Sequence, residues 1–596
     1  MRTYKQGSEY PKHLGDYTQA DFDRMTPKQL VNIIKNFQSF DNFILQTDSY
    51  KMTHHLLLPE GMTEAYAYME PRGGEMPYSV MFGLQYYIKK YLAGVRITPE
   101  KIEAARKMNI AHFGFDCFND KMWYHIWEKH GGMLPLEIKA VPEGTPVAIK
   151  NVLMTIRNTD DKCSALTNIT ETLLLKLWAP NTIAAYARLV RTLIMKYHAL
   201  SSDAPQWLVN FMHHDFGYRG VSSEETARIL GAAALSSGFV GTDTMGALVF
   251  CKEYYNEECA GFSVIASEHS VHCSYGARDM EPESYRHIIE EVKRVCANVN
   301  PASGVIILSL VSDTYNIYNV VKRIIPGLRN EFIGWTNNHG IPIKIVVRPD
   351  SGDPATVLFG YKQNELNIHK FTGKQLLTRI GWGYTTEEQK TVDTIIRVAE
   401  DMKISKEEAA ELVDKGVVQI LMDEFEFTTN SKGFRVLHPQ VGVLQGDGVS
   451  YKMMQKMYRI MIHLKIDIMN VVFGSGGKYL QAHDRDEQCY ATKVIHVIID
   501  GNGICVQKNP ITDAGKKSRK GYVKLVRTGL TWKDYITLQS GDPGFDEAID
   551  VLITVFLNGE LVVEYDFVDI RANAVIHPSE YEFDIAEFEK LELIEE

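Results

Sequence analysis

Carboxylates, one arginine and several glycines recur directly after short apolar runs in the middle of this chain. The run 305–311 ends in Ser312-Asp313. The run 343–347 ends in Arg348-Pro349-Asp350-Ser351-Gly352. The run 441–444 ends in Gln445-Gly446-Asp447-Gly448, and 471–473 ends in Gly474-Ser475-Gly476-Gly477. Asp313, Asp350 and Asp447 at one mouth would repel one another unless they met a cation, sugar hydroxyls or an arginine, and Arg348 stands two residues from Asp350. A ribose diol suits that set, because carboxylates accept its O–H bonds. Negative groups beside an anomeric carbon also favour an oxocarbenium-like transition state. Glycines after the last run would let backbone N–H groups approach a phosphate, although a plain glycine turn reads the same. Arg485, Lys493 and Lys508 follow and could add positive charge, as could the loop 516–520. A charge run is more often a solvated face.

Two other segments carry ring chemistry. Asp215-Phe216-Gly217-Tyr218-Arg219-Gly220 combines aromatic faces with charge and flexible glycines, which suits a flat heterocycle or, more plainly, a packed turn. Gly241-Thr242-Asp243-Thr244 is a turn unless its acid points into a pocket. His269 could be a nucleophile, a base or a phosphate carrier. His272 lies three residues on, but no third ligand stands at a recognisable metal spacing, so a two-histidine metal site is set aside.

The elements that must hold these residues are strands alternating with helices, which indicate a parallel sheet. Such sheets and (β/α) barrels place ligands at the C-terminal ends of their strands. A helix is expected over 450–465, with Met453, Met454, Met457, Ile460, Met461 and Leu464 along it. Residues 360–435 are charged and carry helix starts near Thr385 and at Ser405, the latter a capping box with Glu408. They read as a helical insertion between two site-bearing strands. Alternating runs at 493–499 and 551–556 point to a second domain. Residues 1–42 read as an extension with one amphipathic helix after Thr26-Pro27.

With 596 residues, more than one packed domain is required. The net charge of −11 argues against general binding of nucleic acid or anionic membranes. The eight cysteines form no C-x-x-C pair, so a reducing compartment is expected. No apolar run reaches the ~18 residues of a membrane span, and the N-terminus shows no apolar signal core. A cytoplasmic protein is expected.

Ten segments in order, taken together, resemble the nicotinamide phosphoribosyltransferase family. They are Thr47-Asp48-Ser49-Tyr50-Lys51 with His54; 82–86; 137–144; 214–223; 241–244; 268–270; 311–313; 348–352; 445–448; and 473–477. The resemblance implies an α/β fold: an irregular (β/α) barrel of the type II phosphoribosyltransferase kind, over 181–484, with a second α+β domain built from 43–180 and 485–596. It implies a homodimer with shared active sites, nicotinamide, phosphoribosyl diphosphate and ATP as substrates, and Mg²⁺. Tyr50 of one subunit and Phe216 of the other would sandwich the pyridine ring, whose developing positive charge aromatic faces stabilise. Asp243 would accept from the carboxamide and repel the carboxylate of nicotinate, and Arg348 would lie beside the base. Arg348, Asp350 and Asp447 would hold the ribose, with Gly446, Gly476 and Gly477 bordering it and its phosphate. Arg485 and Lys493 would reach that phosphate; Arg72, Arg219, Lys508 and Lys516 would lie toward the diphosphate or ATP phosphates. Asp313 would work near the diphosphate and Mg²⁺, and His269 would be phosphorylated by ATP. Ala491 and Lys478 depart from the family, which has serine and glycine there. A nicotinate-specific enzyme and an inactive scaffold of the same fold are the alternatives.

Overall fold

Seven short segments in the middle of the chain form a parallel sheet, four of them apolar β-branched-rich runs. In chain order they are β1 (His213–Asp215), β2 (Gly241–Thr242), β3 (Ile265–Ala266), β4 (Ile306–Val311), β5 (Ile343–Arg348), β6 (Val441–Gln445) and β7 (Val471–Ser475). Their spatial order is β2-β1-β7-β6-β5-β4-β3. Leu308, Leu310, Ile345, Val347, Val471 and Phe473 are fully buried, as expected of strands covered on both faces. Phe262 bridges to Gly241 beside β2, three residues before β3 begins. Its N–H donates to Val240 O at 2.6 Å and its carbonyl accepts from Thr242 N at 3.0 Å. This joins the two sheet edges, and the sheet curls into an irregular barrel. The register sets the strand ends level: Arg348 lies opposite Val311, Gln445 opposite Phe473, and Asp215 opposite both Ser475 and Thr242. The loops after them therefore gather at one end.

This computed structural model describes residues 24–26, 42–301, 303–361, 369–379 and 383–582. The helix expected after Thr26-Pro27 lies outside them. Two compact units are present, one holding Ala179–Glu487 with Asp566–Glu596 and Tyr78–Val80, the other Met1–Pro77, Met81–Trp178 and Gln488–Tyr565.

In the barrel unit, Ser450 caps a helix over Tyr451–His463, its hydroxyl accepting from Met453 N. Helices Thr386–Met402 and Lys406–Phe425 start at capping boxes on Thr385 and Ser405. They bury Val392, Ile395, Val398, Leu412, Val413, Val417 and Phe425. The segment 360–435 is thus the packed crossover from β5 to its neighbour β6, the long connection that parallel strands need. The last described segment corrects the sequence reading. Residues 566–582 belong with the barrel unit, not with the α+β unit. The reason is an ion pair: Arg188, 1% exposed, donates to both carboxylate oxygens of Glu580 at 2.8 Å and to the carbonyls of Ala574 and Val575.

The other unit is built on a seven-stranded antiparallel sheet. Its spatial order is Asn502–Cys505, Tyr490–Ile499, Met62–Pro71, Met154–Asn158, Leu136–Ala140, Ile553–Leu557 and Glu560–Leu561. Helix Ser164–Leu175 lies against strands Met62–Pro71 and Met154–Asn158, with Thr167 Oγ1 donating to Ala65 O at 3.1 Å. Among the described residues no helix is long and apolar enough to cross a membrane.

Candidate active site

At the barrel mouth the ends of β4 and β5 are tied together through Asp313. Its Oδ2 accepts from Asp350 N at 3.0 Å and from Ser351 Oγ. Its Oδ1 is buried and has no hydrogen-bond partner among the described residues. Arg348 Nη1 lies 3.5 Å from Asp350 Oδ1, and Nη2 donates to Ser267 O at 3.1 Å. Ser267 is fixed in turn, its Oγ meeting Val311 N at 3.0 Å and His272 Nε2 at 2.9 Å. His272 also meets Ser284 Oγ at 2.8 Å. Both its nitrogens are committed to hydroxyls, so it is a buried structural histidine, and burial pushes its pKa down to about 4.

Phe216 stands on the turn after β1. Asp215 pins that turn, accepting from Gly217 N at 2.7 Å and Thr242 Oγ1 at 3.2 Å, and Phe216 N donates to Ser475 O at 2.9 Å. Burial raises the Asp215 pKa, so this acid serves the backbone. The Phe216 ring rests on Gly474: a Cβ there would lie 2.0 Å from Phe216 Cε2. At Gly446 a Cβ would approach Phe216 Cε2 at 3.5 Å and Asp350 Oδ1 at 3.3 Å. Both glycines leave room for the ring and for whatever lies on it.

Asp243, after β2, is 47% exposed at its side chain. Its Oδ1 takes bonds from His214 Nε2 at 2.9 Å and from Ser263 Oγ. Burial works to raise its pKa, but these two bonds and the charges of His214 and Arg348 hold it below the usual carboxylate range. It is an oriented anion with Oδ2 left for a ligand among the described residues. His269 has Nδ1 at 3.1 Å from Thr314 Oγ1 and Nε2 at 3.6 and 3.8 Å from Asp350 and Asp313. Its side chain is 45% exposed, so it is reachable by a solute.

The glycines border the same mouth. Gly220 and Gly477 touch backbone to backbone, since a Cβ on Gly220 would lie 2.2 Å from Gly477 Cα. That contact carries exposed Arg219 to the glycine loop. Gly476 faces open space among the described residues. Asp447 is exposed in the loop shaped by Gln445 Nε2, which donates to Asp447 O at 2.9 Å. Arg485 is exposed and paired with Asp486 at 3.2 Å.

The remaining candidates lie in the α+β unit. Tyr50 is 58% exposed beside His54. Arg72 is held by Glu70 at 3.4 Å and Tyr68 OH at 3.3 Å. Burial lowers the Lys493 pKa; Glu171 opposes this, and the charges of Arg72, Lys508 and Lys51 add to it. These cations share one neighbourhood, a field that an anion would relieve. Lys516 is exposed and paired with Asp513 at 3.3 Å. Ala491 lies opposite Glu70 in the sheet, and Lys478 is exposed on the short helix Gly477–Gln481.

The sequence profile described as the nicotinate phosphoribosyltransferase (NAPRTase) family matches residues 211–549. The chain belongs to this family. The profile for the nicotinamide phosphoribosyltransferase N-terminal domain matches residues 42–138. The chain is 34% identical over 542 residues to a nicotinamide phosphoribosyltransferase of Xanthomonas campestris, covering 90% of this chain and 98% of that one. It is 29% identical over 546 residues to one of Acinetobacter baylyi, covering 88% and 95%. A solved nicotinate-nucleotide pyrophosphorylase from Pyrococcus furiosus aligns at a TM-score of 0.47 and 14% identity, covering 91% of this chain and 97% of that one.

Within this NAPRTase-family mouth the structure brings together Phe216, Asp243, His269, Asp313, Arg348, Asp350 and Gly446. Sequence reasoning gave no role to Ser263, Ser267, Thr314 or His214. Serine and threonine are too common to single out by type. His214 stood inside a quoted segment beside Asp215 and Phe216.

Proposed function

We propose that this protein transfers the phosphoribosyl group of 5-phosphoribosyl 1-diphosphate to nicotinamide, forming nicotinamide mononucleotide and pyrophosphate in NAD salvage. The observation that carries the reading is the Phe216 ring on Gly474, with the Asp243 anion and the Arg348–Asp350 pair beside it. A pyridine ring laid on Phe216 gains positive charge as its nitrogen bonds to C1 of the ribose, and an aromatic face stabilises a cation. Asp243 accepts from the neutral carboxamide and repels a carboxylate, which selects the amide over nicotinate. Asp350 and Asp447 accept from the ribose hydroxyls, while the Gly476-Gly477 loop, open at Gly476, and Arg219 face its phosphate. The C1–O bond to diphosphate breaks as the C1–N bond forms.

The leaving diphosphate needs positive charge. Asp313 Oδ1, buried and without a hydrogen-bond partner among the described residues, and the Asp350 carboxylate are hard oxygen donors that fit Mg²⁺. Bound there, the ion neutralises charge on the diphosphate. His269, oriented by Thr314, takes a phosphoryl group from ATP: a P–N bond forms and the bond to ADP breaks. Arg72, Lys493, Lys508, Lys516 and Arg485 serve phosphates, and Tyr50 covers the second face of the pyridine from the partner subunit of a homodimer. Cys117, Cys163, Cys251 and Cys296 are free and buried, which suits a reducing, cytoplasmic setting.

The test is mononucleotide formation by purified protein with phosphoribosyl diphosphate and Mg²⁺, with and without ATP, offering nicotinamide and nicotinate in parallel. Turnover of nicotinamide with little of nicotinate is expected. The reverse preference overturns the role of Asp243, and no product under either condition favours an inactive scaffold.

A further inference from the structure

In the α+β unit, helix Asp120–His130 ends beside the turn Asp161–Cys163. His125 and His130 both direct Nε2 at a single oxygen, Asp160 Oδ2, at 3.0 and 2.9 Å. The other oxygen, Oδ1, accepts from Lys162 N at 2.8 Å. Cys163 N donates to Asp160 O at 2.9 Å, so the turn presents the Asp160 carboxylate and the Cys163 thiol side by side. A ring nitrogen of His125, a carboxylate oxygen of Asp160 and Cys163 Sγ all lie within 4.8 Å of one another. His130 stands next to them through Asp160.

We infer that His125, Asp160 and Cys163 form a binding site for a borderline-soft divalent metal ion of the zinc class, with His130 held beside it by Asp160. One imidazole, one carboxylate oxygen and one thiolate are ligands of the kind zinc takes, and water fills the fourth position. They come from two close segments, helix Asp120–His130 and the Asp-x₂-Cys turn. An ion among them replaces the N–H bond from His125 to Asp160, while the bond from His130 stays as an outer partner. The bond from Lys162 N to Oδ1 keeps the carboxylate oriented, as outer partners of metal ligands do. Mg²⁺ and Ca²⁺, which take oxygen ligands, do not suit this set.

The Cys163 side chain is fully buried beside the Asp160 carboxylate. Binding forms the metal–nitrogen, metal–oxygen and metal–sulfur bonds and releases the thiol proton to solvent. The helix end and the turn are then clamped by bonds stronger than the present hydrogen bonds. The site is separate in kind from the oxygen-lined Mg²⁺ position proposed at the barrel mouth.

The test uses untagged full-length protein, stripped with a chelator and titrated with Co²⁺ alone, then with Zn²⁺. One Co²⁺ per chain is expected, with the visible bands of a four-coordinate ion and a sulfur-to-cobalt charge-transfer band that Zn²⁺ abolishes. Cys163→Ser loses the charge-transfer band, and His130→Ala weakens binding at least about tenfold while keeping it. Asp160→Asn serves as the second variant should Cys163→Ser fail to fold, and it too weakens binding about tenfold or more. Zn²⁺ but not Mg²⁺ raises the thermal midpoint of the stripped wild type. Absence of the charge-transfer band in the wild type overturns the proposal, as does a band that survives Cys163→Ser unchanged.

Discussion

Gly474→Ala isolates the claim that Phe216 is a base-stacking platform. The backbone at Gly474 lies within β7 and is not in the left-handed region, so alanine meets no conformational penalty there. Its Cβ would stand 2.0 Å from Phe216 Cε2, with Cδ2 and Cζ both at 2.7 Å. Ordinary carbon contacts lie near 3.5–4 Å, so the ring must retreat by about 1.5 Å. Asp215 and the bond from Phe216 N to Ser475 O hold the backbone, so the displacement falls on the side chain, toward the mouth. Misplacement of a binding group by about 1 Å can cost roughly 10²-fold in rate, near 2.7 kcal/mol. Steady-state kinetics should therefore show kcat/KM for nicotinamide down about 100-fold, with KM for phosphoribosyl diphosphate changed far less. The double-variant cycle sharpens the result. If the ring is what matters, Phe216→Leu already forfeits the stacking, and adding Gly474→Ala to it costs little more. A folded Gly474→Ala enzyme with wild-type kcat/KM would refute the reasoning. So would an effect that adds in full to that of Phe216→Leu.

Other changes probe separate parts of the design. Asp243→Asn should narrow the preference for nicotinamide over nicotinate by about tenfold or more, measured as a ratio of kcat/KM values. Because Asp243 is held below the usual carboxylate range it stays ionised, and the wild-type ratio should be flat between about pH 5 and 8; its loss is expected only as pH falls through that lowered value. His269→Ala should abolish ATP splitting, followed as ADP release, while slow ATP-independent synthesis persists; normal ATP turnover would rule out the phosphohistidine. Glu580→Ala strands the buried Arg188 and should cost about 3–5 kcal/mol in urea unfolding, whereas an unchanged midpoint would show that the C-terminal segment contributes nothing to the barrel unit.

Much of the barrel was legible because its signals are local. The β-branched runs that became β4 to β7 are short and apolar, and Ser450, Thr385 and Ser405 announce their helices through side chains that cap their own backbone. The strand-end positions of Asp313, Arg348, Asp350 and Asp447 followed from the same runs. The two-residue strands β2 and β3 were not legible, since two residues carry no periodicity and their pairing with β1 and β4 is set by tertiary register.

Residue type and order along the chain therefore settled which groups were chemically able to act, because composition after a strand is a property of the chain alone. Tertiary structure decided what each of them does. Two carboxylates of like type, Asp215 and Asp243, diverge only because one is sealed against backbone donors and the other is left open beside His214 and Arg348. Two histidines three residues apart diverge because serines enclose His272 while His269 reaches solvent. Those partners stand on other elements, 27 and 29 residues away for Asp215 with Thr242 and Asp243 with His214, and 5 and 12 away for His272 with Ser267 and Ser284, and residue type at the position itself carries no record of them.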